Sequence, residues 1–275
     1  MSNNHDLVEA RYGFPVEVDD GGSETIQTLL GHRSCRRFKP DKLADPMVNL
    51  LLSCAQSAPT KSNLQQYSIV MTTDDAKRGE IVSLVPTMPW IADAPLVLVF
   101  LGDVRRIRRL AEMRGHEYRN DNADTFMNAT IDAALAMQAF MVAAESLGLG
   151  TCPISYVRNR IHDLTRILDL PDGVFPIAGL TVGWPATAGT LSLRLPQDVV
   201  VHRDVYDDSA LEHDIAAYDD RAHDHQPLAP AKQRHTNRYG VLEKCTWSEK
   251  VARQLSVPER DGFADYLKSR KINLT

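Results

Sequence analysis

The chain has 275 residues, of which 43% are hydrophobic and 24% are charged, and these values are ordinary for a globular protein. This length allows one large domain or two small ones, with a full core that needs no disulfide staples. The net charge of −5 argues against a broad nucleic-acid-binding surface. The four cysteines lie far apart, without CxxC or metal-ligand spacing, so we predict reduced thiols, no metal site and a cytoplasmic location.

The sequence also argues against membrane association. The first twenty residues are polar and acidic and contain no apolar segment of the kind found in signal peptides. The longest continuous apolar run, at 96–101, is far too short to span a bilayer. We therefore expect neither a membrane nor a nucleic acid as a partner.

Helix and strand signals alternate along the first part of the chain. A short helix is predicted at 23–30, and a second helix is predicted to begin at Asp45, as its N-cap, with proline following at N1. Residues 67–73 alternate as in a strand. The apolar run 96–101, bounded by proline and glycine, is typical of a strand buried on both faces.

A long helix is predicted over 124–147, closed by Gly148. Its many alanines suit a central, closely packed helix. The residues expected on or near one stripe are Met127, Ile131, Ala134, Leu135, Gln138, Met141, Val142 and Glu145.

The second half of the chain continues the alternation and then changes in composition. A short strand at 151–155 is followed by a helix capped by Asn159 and by a strand at 176–183. After residue 203 we expect an acidic surface helix, then a solvated linker that includes His223-Asp224-His225, then a tail that folds back. The alternation predicts an α+β or α/β sheet covered by helices.

Two segments carry the strongest functional signal. His32–Phe38 contains three arginines and a serine, and arginine presents donors that match phosphate oxygens. A solvated or interface patch is the alternative explanation of such a cluster. Residues 58–67 form an amide-rich loop, for which ordinary turn residues are the alternative. Together the two segments indicate a phosphorylated, planar, hydrogen-bonding cofactor.

The order of the motifs resembles that of the nitroreductase superfamily of FMN-dependent oxidoreductases. The motifs are HRSCRRF, APTKSNLQ, a long helix ended by GLG, GLTVGWP and LSLRLP, and they cover residues 24–196. The NADPH-dependent, oxygen-insensitive nitroreductase and flavin reductase branch is the most similar. The resemblance implies an α+β fold, with a mostly antiparallel central sheet flanked by helices, in an intertwined homodimer. It also implies an FMN-binding domain at 1–203, on which a C-terminal extension at 204–275 docks.

The resemblance further implies which residues bind FMN at the dimer interface. The phosphate and ribityl chain would be held by His32, Arg33, Ser34 and Arg36, with Arg194 as a second phosphate contact. The other subunit would line the flavin with Pro59, Thr60, Lys61, Ser62, Asn63 and Gln65. The isoalloxazine would lie against Pro153, Ile154 and Ser155.

Two positions depart from the pattern of the branch. Ser192 stands where a lysine is usual, which removes one charge from the expected phosphate site, and Lys61 or Arg37 could replace it. Ser155-Tyr156 stands where two glycines are common, so Tyr156 could narrow the space for substrate.

The implied activity is a ping-pong reduction of nitroaromatics, quinones or free flavin by NADPH or NADH. FMN carries the electrons, so no catalytic side chain is predicted. Candidates for contact with the 2′-phosphate of NADPH are Lys232, Arg234 and Arg238. The arginines at 105–109 are a second possibility, although a solvated helix face paired with Glu112 and neighbouring acids is the preferred interpretation.

Three further functions stay open at this point: a reductive dehalogenase, a flavin-dependent desaturase and a non-catalytic FMN-binding or sensing protein. Cys35 could be a reactive thiol because of its arginine neighbours, although a buried, inert thiol is the preferred interpretation. Trp90 could cover the active site or simply pack in the core.

Overall fold

The computed structural model describes residues 4–19 and 21–275, which form two compact units. The first, here called the helical unit, comprises the N-terminal segment through His32 and Thr190–Glu259. The second, the sheet unit, comprises Arg33–Gly189 and Arg260–Thr275. The boundary predicted between residues 203 and 204 stays a prediction.

The sheet unit is built on four strands in the order β1-β2-β4-β3, with every neighbouring pair antiparallel. Strand β2 lies in the interior of the sheet, and all eight of its residues are buried, as its continuous apolar sequence predicts. The sheet and its helices confirm the α+β fold. The strands are β1 (Tyr67–Thr72), β2 (Leu96–Asp103), β3 (Gly150–Ile154) and β4 (Val174–Gly183).

The helices divide between the two units. Those of the sheet unit are α3 (Asp45–Gln56), α4 (Asp75–Ser83), α5 (Arg105–Met113), α6 (Ala123–Ser146), α7 (Ile161–Ile167) and α12 (Phe263–Ser269). Those of the helical unit are α1 (Asn4–Tyr12), α2 (Glu24–Leu30), α8 (Gln197–Val200), α9 (Leu211–His225), α10 (Thr236–Tyr239) and α11 (Trp247–Leu255). Short 3₁₀ helices lie at Lys61–Asn63, Pro89–Asp93, Ser155–Arg160 and Pro230–Lys232.

Three local predictions were wrong. Asp45 is the first helical residue of α3 and Ala44 is its N-cap, because the chain is already helical at the aspartate. Asn159 does not cap α7, which begins after Arg160; its side chain instead accepts a hydrogen bond of 2.7 Å from Arg260 Nε. The segment around His223 is the last turn of α9 rather than a linker.

Helix α6 buries a different face from the predicted one. Its small residues Ala133 and Ala136 pack with Phe140 against the sheet, because small side chains let the helix approach the strands closely. The larger residues Met127 and Ile131 are 52% and 46% exposed. The first part of the predicted apolar stripe is therefore on the outward face of this chain, whereas Met141, further along it, is buried in the core.

Among the described residues, α6 is the one helix long and apolar enough to cross a membrane by length and composition alone, with a mean hydropathy of 1.3 over its best window. Core helices of soluble proteins meet the same criterion. The packing of its alanines against β2 and β4 is that of a core helix.

The last residues of the chain complete the core of the sheet unit. Tyr266, Leu267 and Ile272 are buried in one cluster with Val104 and Phe175. The Tyr266 hydroxyl lies 2.7 Å from Thr165 Oγ1, in the neighbouring helix α7. The tail from residue 260 is thus an integral part of the sheet unit.

Candidate functional site

The arginine segment lies along strand β3 of the sheet unit. Ser34 forms a parallel bridge with Thr151, and Cys35 N donates a 2.8 Å hydrogen bond to Thr151 O. The neighbouring side chains of Arg33 and Arg36 are exposed. Backbone pairing therefore fixes the segment, while the arginine side chains stay available to a ligand.

Two buried thiols lie at this segment, Cys35 within it and Cys152 on β3. Cys35 packs against Gly150, where no side chain larger than hydrogen would fit, since a Cβ there would lie 2.6 Å from the sulfur. Burial raises the pKa of the Cys35 thiol, and it also raises the pKa of Cys152, an effect that the charge of Arg36 opposes. The structure therefore favours the interpretation of Cys35 as a buried, inert thiol.

The predicted flavin-facing residues lie at the end of β3. Pro153 is exposed, Ile154 is buried, and Ser155 begins the 3₁₀ helix that follows the strand. Tyr156 is half-buried and packs against the core of the sheet unit, as does Trp90. The arginine segment and these residues are brought together because both lie along the same short strand.

The amide-rich loop has an unusual backbone. Ser62, Asn63 and Gln65 all have positive φ angles, of 47°, 57° and 53°. Asparagine adopts this left-handed conformation readily, but for other non-glycine residues it costs on the order of 1–3 kcal/mol. The surrounding structure must therefore hold the loop in place.

Two side chains hold the loop: Asp132, which sequence reasoning did not single out, and Arg106, which it considered only as a possible contact for NADPH. Asp132 of α6, which is fully buried, accepts hydrogen bonds from Lys61 N at 3.0 Å and from Gln66 N at 2.9 Å. Arg106 Nη1 of α5 donates to Gln65 O at 2.8 Å. The sequence did contain a signal for Asp132, because this carboxylate stands between apolar residues of the predicted helix. A charge that is buried there must find hydrogen-bond donors.

The side chain of Lys61 points toward the start of α6. Its Nζ lies 3.2 Å from Asp124 Oδ2. A hydrogen bond from Asn128, followed by the one from Lys61, lowers the pKa of Asp124. Lys61 therefore already has an acidic neighbour, which weakens the suggestion that it replaces the missing lysine charge at Ser192.

Two of the arginines of α5 have structural partners. Arg106 pairs with Asp103 at 3.2 Å, and Arg108 pairs with Asp121 at 2.7 Å. Of the predicted partners, Glu112 forms no ion pair among the described residues, whereas the neighbouring acid Asp103 does. Because Arg106 also binds the loop, this run is a poor candidate for recognition of NADPH.

The remaining predicted flavin ligands, His32 and Arg194, belong to the helical unit. Arg11 of α1, which is almost fully buried, donates hydrogen bonds to His32 O at 2.9 Å and to Ser192 O at 3.1 Å. Its own carbonyl oxygen accepts a 2.9 Å bond from Arg194 N. Arg11, which the sequence did not single out, thus brings the two predicted segments together within this unit.

The NADPH candidates have different surroundings within the helical unit. Arg234 lies 3.7 Å from Glu259, and the guanidinium of Arg238 lies 5.4 Å from the centre of the Tyr239 ring. Lys232 instead lines a cavity. The loop that carries the two arginines is held at its base, where Gln233 exchanges hydrogen bonds with the backbone of Leu242.

The arginine segment fits the phosphate end of FMN. No carboxylate among the described residues forms an ion pair with Arg33, Arg36 or Arg37, and Ser34 belongs to the same short segment. Two or more uncompensated arginines with a hydroxyl form a donor set that suits a dianionic phosphate.

Comparisons with known proteins agree with the motifs. Residues 29–184 match the Nitroreductase family, and residues 192–275 match its C-terminal domain. The chain is 34% identical to "FMN reductase (NADPH)" of Bacillus subtilis, over 91% of this chain and 99% of that protein. It is 32% identical to "Oxygen-insensitive NADPH nitroreductase" of Salmonella typhimurium, over 89% and 96%.

Solved structures give the same result. The structure of NfrA2 from B. megaterium superposes with a TM-score of 0.84 at 29% identity, over 92% of this chain and all of that one. The NADPH:FMN oxidoreductase of Vibrio harveyi, complexed with NAD+, superposes with a TM-score of 0.78 at 28% identity, over 90% and 98%. With its sequence motifs, its four-stranded antiparallel sheet and these likenesses in agreement, the chain belongs to the nitroreductase family.

Proposed function

We propose that the protein is an FMN oxidoreductase that takes electrons from NADPH and passes them to a nitroaromatic compound, a quinone or free flavin. Relatives named FMN reductase and NADPH nitroreductase align over nearly the whole chain, which supports FMN and NADPH as its cofactors. The observation that carries the proposal is the pair of exposed, uncompensated arginines, Arg33 and Arg36, on the segment paired with β3.

Bound FMN would supply the two-electron chemistry, and the side chains of the protein would bind and orient the reactants. Arg33, Arg36 and Ser34 would donate hydrogen bonds to the phosphate. Pro153, near the end of β3, and Ser155, at the start of the following 3₁₀ helix, are exposed and would offer backbone groups to the ring system. No side chain is required as a nucleophile or as a permanent acid or base.

The loop at 60–66 is proposed to line the flavin. Three of its residues have positive φ angles, and Asp132 keeps that shape by binding the amides at both ends. Strained, over-determined loops of this kind are found at ligand sites. His32 and Arg194, and the NADPH candidates Lys232, Arg234 and Arg238, stay predictions.

The protein is further proposed to be a soluble, cytoplasmic homodimer that acts on small molecules. Met127, Ile131 and Leu135 follow one another at four-residue spacing on α6, so they form one outward apolar stripe. Leu50 and Leu64 of the same unit are also exposed. A contiguous apolar surface of this kind is typical of a protein interface, and a second copy of this chain is the proposed occupant.

The test is an absorption spectrum of the purified protein, repeated without oxygen after addition of NADPH. A bound-flavin spectrum that bleaches is expected, and the oxidant is then sought among nitroarenes, quinones and flavins. Bound flavin that does not bleach would contradict the reductase and favour a sensor, whereas turnover of halophenols instead of nitroarenes would favour a dehalogenase. A colourless protein that does not take up FMN would refute the proposal entirely.

The phosphate contact is tested in the same preparation. Arg36→Ala is expected to weaken FMN binding at least several-fold, because a charge-assisted hydrogen bond contributes about 1.5–3 kcal/mol. Arg119→Ala is the matched control, since Arg119 is exposed and, within the described part of the chain, pairs only with Glu117 at the surface. Equal FMN affinities of the two variants, measured by flavin fluorescence, would remove Arg36 from the site.

A further inference from the structure

Arg253 of α11 is only 2% exposed, although arginine is seldom buried unless it is paired. Its Nε donates a 2.6 Å hydrogen bond to Glu249 Oε1, one turn earlier in the same helix. Glu249 is its one carboxylate partner among the described residues. Because a guanidinium has five N–H donors, most of its donors remain for other groups.

These remaining donors bind the loop 233–242 of the same unit. Arg253 Nη1 donates to Gly240 O at 2.8 Å and to Arg234 O at 3.5 Å. Its Nη2 donates to Tyr239 O at 3.3 Å, and the guanidinium carbon lies 5.6 Å from the centre of the Tyr239 ring. One buried side chain therefore connects the beginning of the loop to its end.

The loop has little local structure of its own to keep this shape. His235 has a left-handed φ of 51°, and the helix α10 that follows it has only four residues, too few to be stable alone. Gln233 and Leu242 close the base of the loop with two hydrogen bonds. Arg253 supplies the contacts between that base and the far end of the loop.

The loop carries two exposed arginines, Arg234 and Arg238, and both reach toward the segment that follows α11. Arg238 Nη1 donates to Ser256 O at 3.5 Å, and no carboxylate in the described part of the chain pairs with it. Arg234 lies 3.7 Å from Glu259, in a partly exposed contact that a phosphate dianion would replace. Both guanidiniums are thus turned toward one short stretch of chain.

We propose that Arg253 is a positioning residue for the choice of NADPH over NADH. It does not touch the nucleotide. It fixes the loop so that Arg234 and Arg238 receive the 2′-phosphate without first having to be ordered, which lowers the cost of binding. NADH lacks this phosphate, so its binding does not depend on the loop. The inference rests on the proposed reductase function, in which these two arginines are the candidate contacts for the 2′-phosphate.

The test compares the binding of NADP+ and NAD+ to the FMN-loaded protein by isothermal calorimetry. Arg253→Lys keeps the charge but loses the rigid fork of donors. It is expected to weaken NADP+ binding about fivefold or more and to change NAD+ binding by less than about twofold. Arg203→Lys, at an exposed position before α9, is the matched control and is expected to bind both nucleotides as the unaltered protein does. Retained FMN shows that each variant is folded.

A second variant perturbs Arg253 without replacing it. Glu249→Gln weakens the ion pair that orients the guanidinium, and it leaves the bonds to the loop carbonyls in place. A smaller loss of NADP+ affinity is expected, again with NAD+ binding unchanged. This variant keeps the inference testable if Arg253→Lys does not fold.

A double-mutant cycle shows whether Arg253 acts through the loop. Arg253→Lys is expected to add little further loss of NADP+ affinity in a protein that already carries Arg234→Ala and Arg238→Ala, because the side chains that it positions are then gone. Fully additive losses would contradict the positioning role.

Two other results would overturn the inference. Equal effects of Arg253→Lys on NADP+ and NAD+ would make Arg253 a purely structural residue. An unaltered protein that binds the two nucleotides equally would show that the loop does not recognise the 2′-phosphate. Neither result alters bound FMN or its bleaching by NADPH, whereas a protein that lacks FMN or does not bleach refutes the reductase itself, so the two failures are distinguishable.

Discussion

Asp132 joins the packing of α6 to the shape of the candidate flavin loop. Its two carboxylate oxygens bind the amides of Lys61 and Gln66, which stand at the two ends of a loop with three left-handed residues. A carboxylate is suited to this task because it can accept at both oxygens, whereas an amide side chain accepts at only one. The charge is tolerated in the interior because its hydrogen bonds satisfy it.

Replacement of Asp132 by asparagine is therefore expected to destabilise the protein by about 1–3 kcal/mol, since one buried amide loses its acceptor. The variant is also expected to bind FMN more weakly, because the loop is no longer held at both ends. Urea denaturation and flavin fluorescence measure the two effects, with the exposed Asp198→Asn of α8 as the control. Unchanged stability and affinity would mean that the loop keeps its shape without the buried carboxylate.

The chain shows what could and could not be predicted at the scale of single residues. The arginine segment and Ser34 were identified because their chemistry is local and their order is distinctive. Arg11 and Asp132 were not, because their roles depend on backbone groups far away in the sequence. Neither residue type nor spacing shows which distant carbonyl or amide a buried charge will meet.

Helix α6 is the element that divides its two faces most sharply. Alanines pack against the sheet, and larger apolar residues face outward. Periodicity predicted the helix to within one residue at each end, but it could not distinguish the face that is buried within the chain from the face that is exposed. Both faces are apolar, so hydropathy alone does not separate them.

Ile131→Glu is expected to convert the proposed dimer into a monomer, because it places a charge in the centre of the outward stripe. Sedimentation or light scattering at several protein concentrations measures the change in mass. Met113→Glu on α5 is the control, because Met113 is highly exposed and lies on a different helix. A dimer that survives Ile131→Glu would move the interface away from this face of α6.

At the scale of the whole molecule, the tail from residue 260 contributes to the core of the sheet unit. The buried residues of α12 form one cluster with residues of β2–α5 and β4, so the sheet unit lacks part of its core without them. Leu267→Ala is expected to lower the free energy of unfolding by about 2–5 kcal/mol, the usual cost of a cavity at a fully buried leucine. Leu255→Ala at an exposed position of α11 is the control, and thermal unfolding compares the two. A loss near zero for Leu267 would show that the cluster does not depend on the tail.

The arrangement of the two units was beyond sequence reasoning for a physical reason. Helices, strands and the antiparallel sheet follow from local patterns and from resemblance, and those predictions were largely confirmed. The chain passes from one unit to the other near residues 32, 189 and 259, and these points have no such signal. Proline, glycine and charged residues do occur there, as at positions 258–262, but they do not by themselves mark a unit boundary, because the units are defined by contacts between segments far apart in the chain.

The sheet unit combines residues 33–189 with residues 260–275, and this has a consequence for how the protein folds during synthesis. A ribosome releases the chain from the N-terminus, so the strands and α6 emerge long before Tyr266, Leu267 and Ile272. Until residues 266–272 have left the exit tunnel, the side of the sheet unit that carries Val104 and Phe175 exposes an apolar surface. The growing chain is therefore most vulnerable to aggregation and proteolysis late in translation, and protection by a chaperone would matter most during that interval.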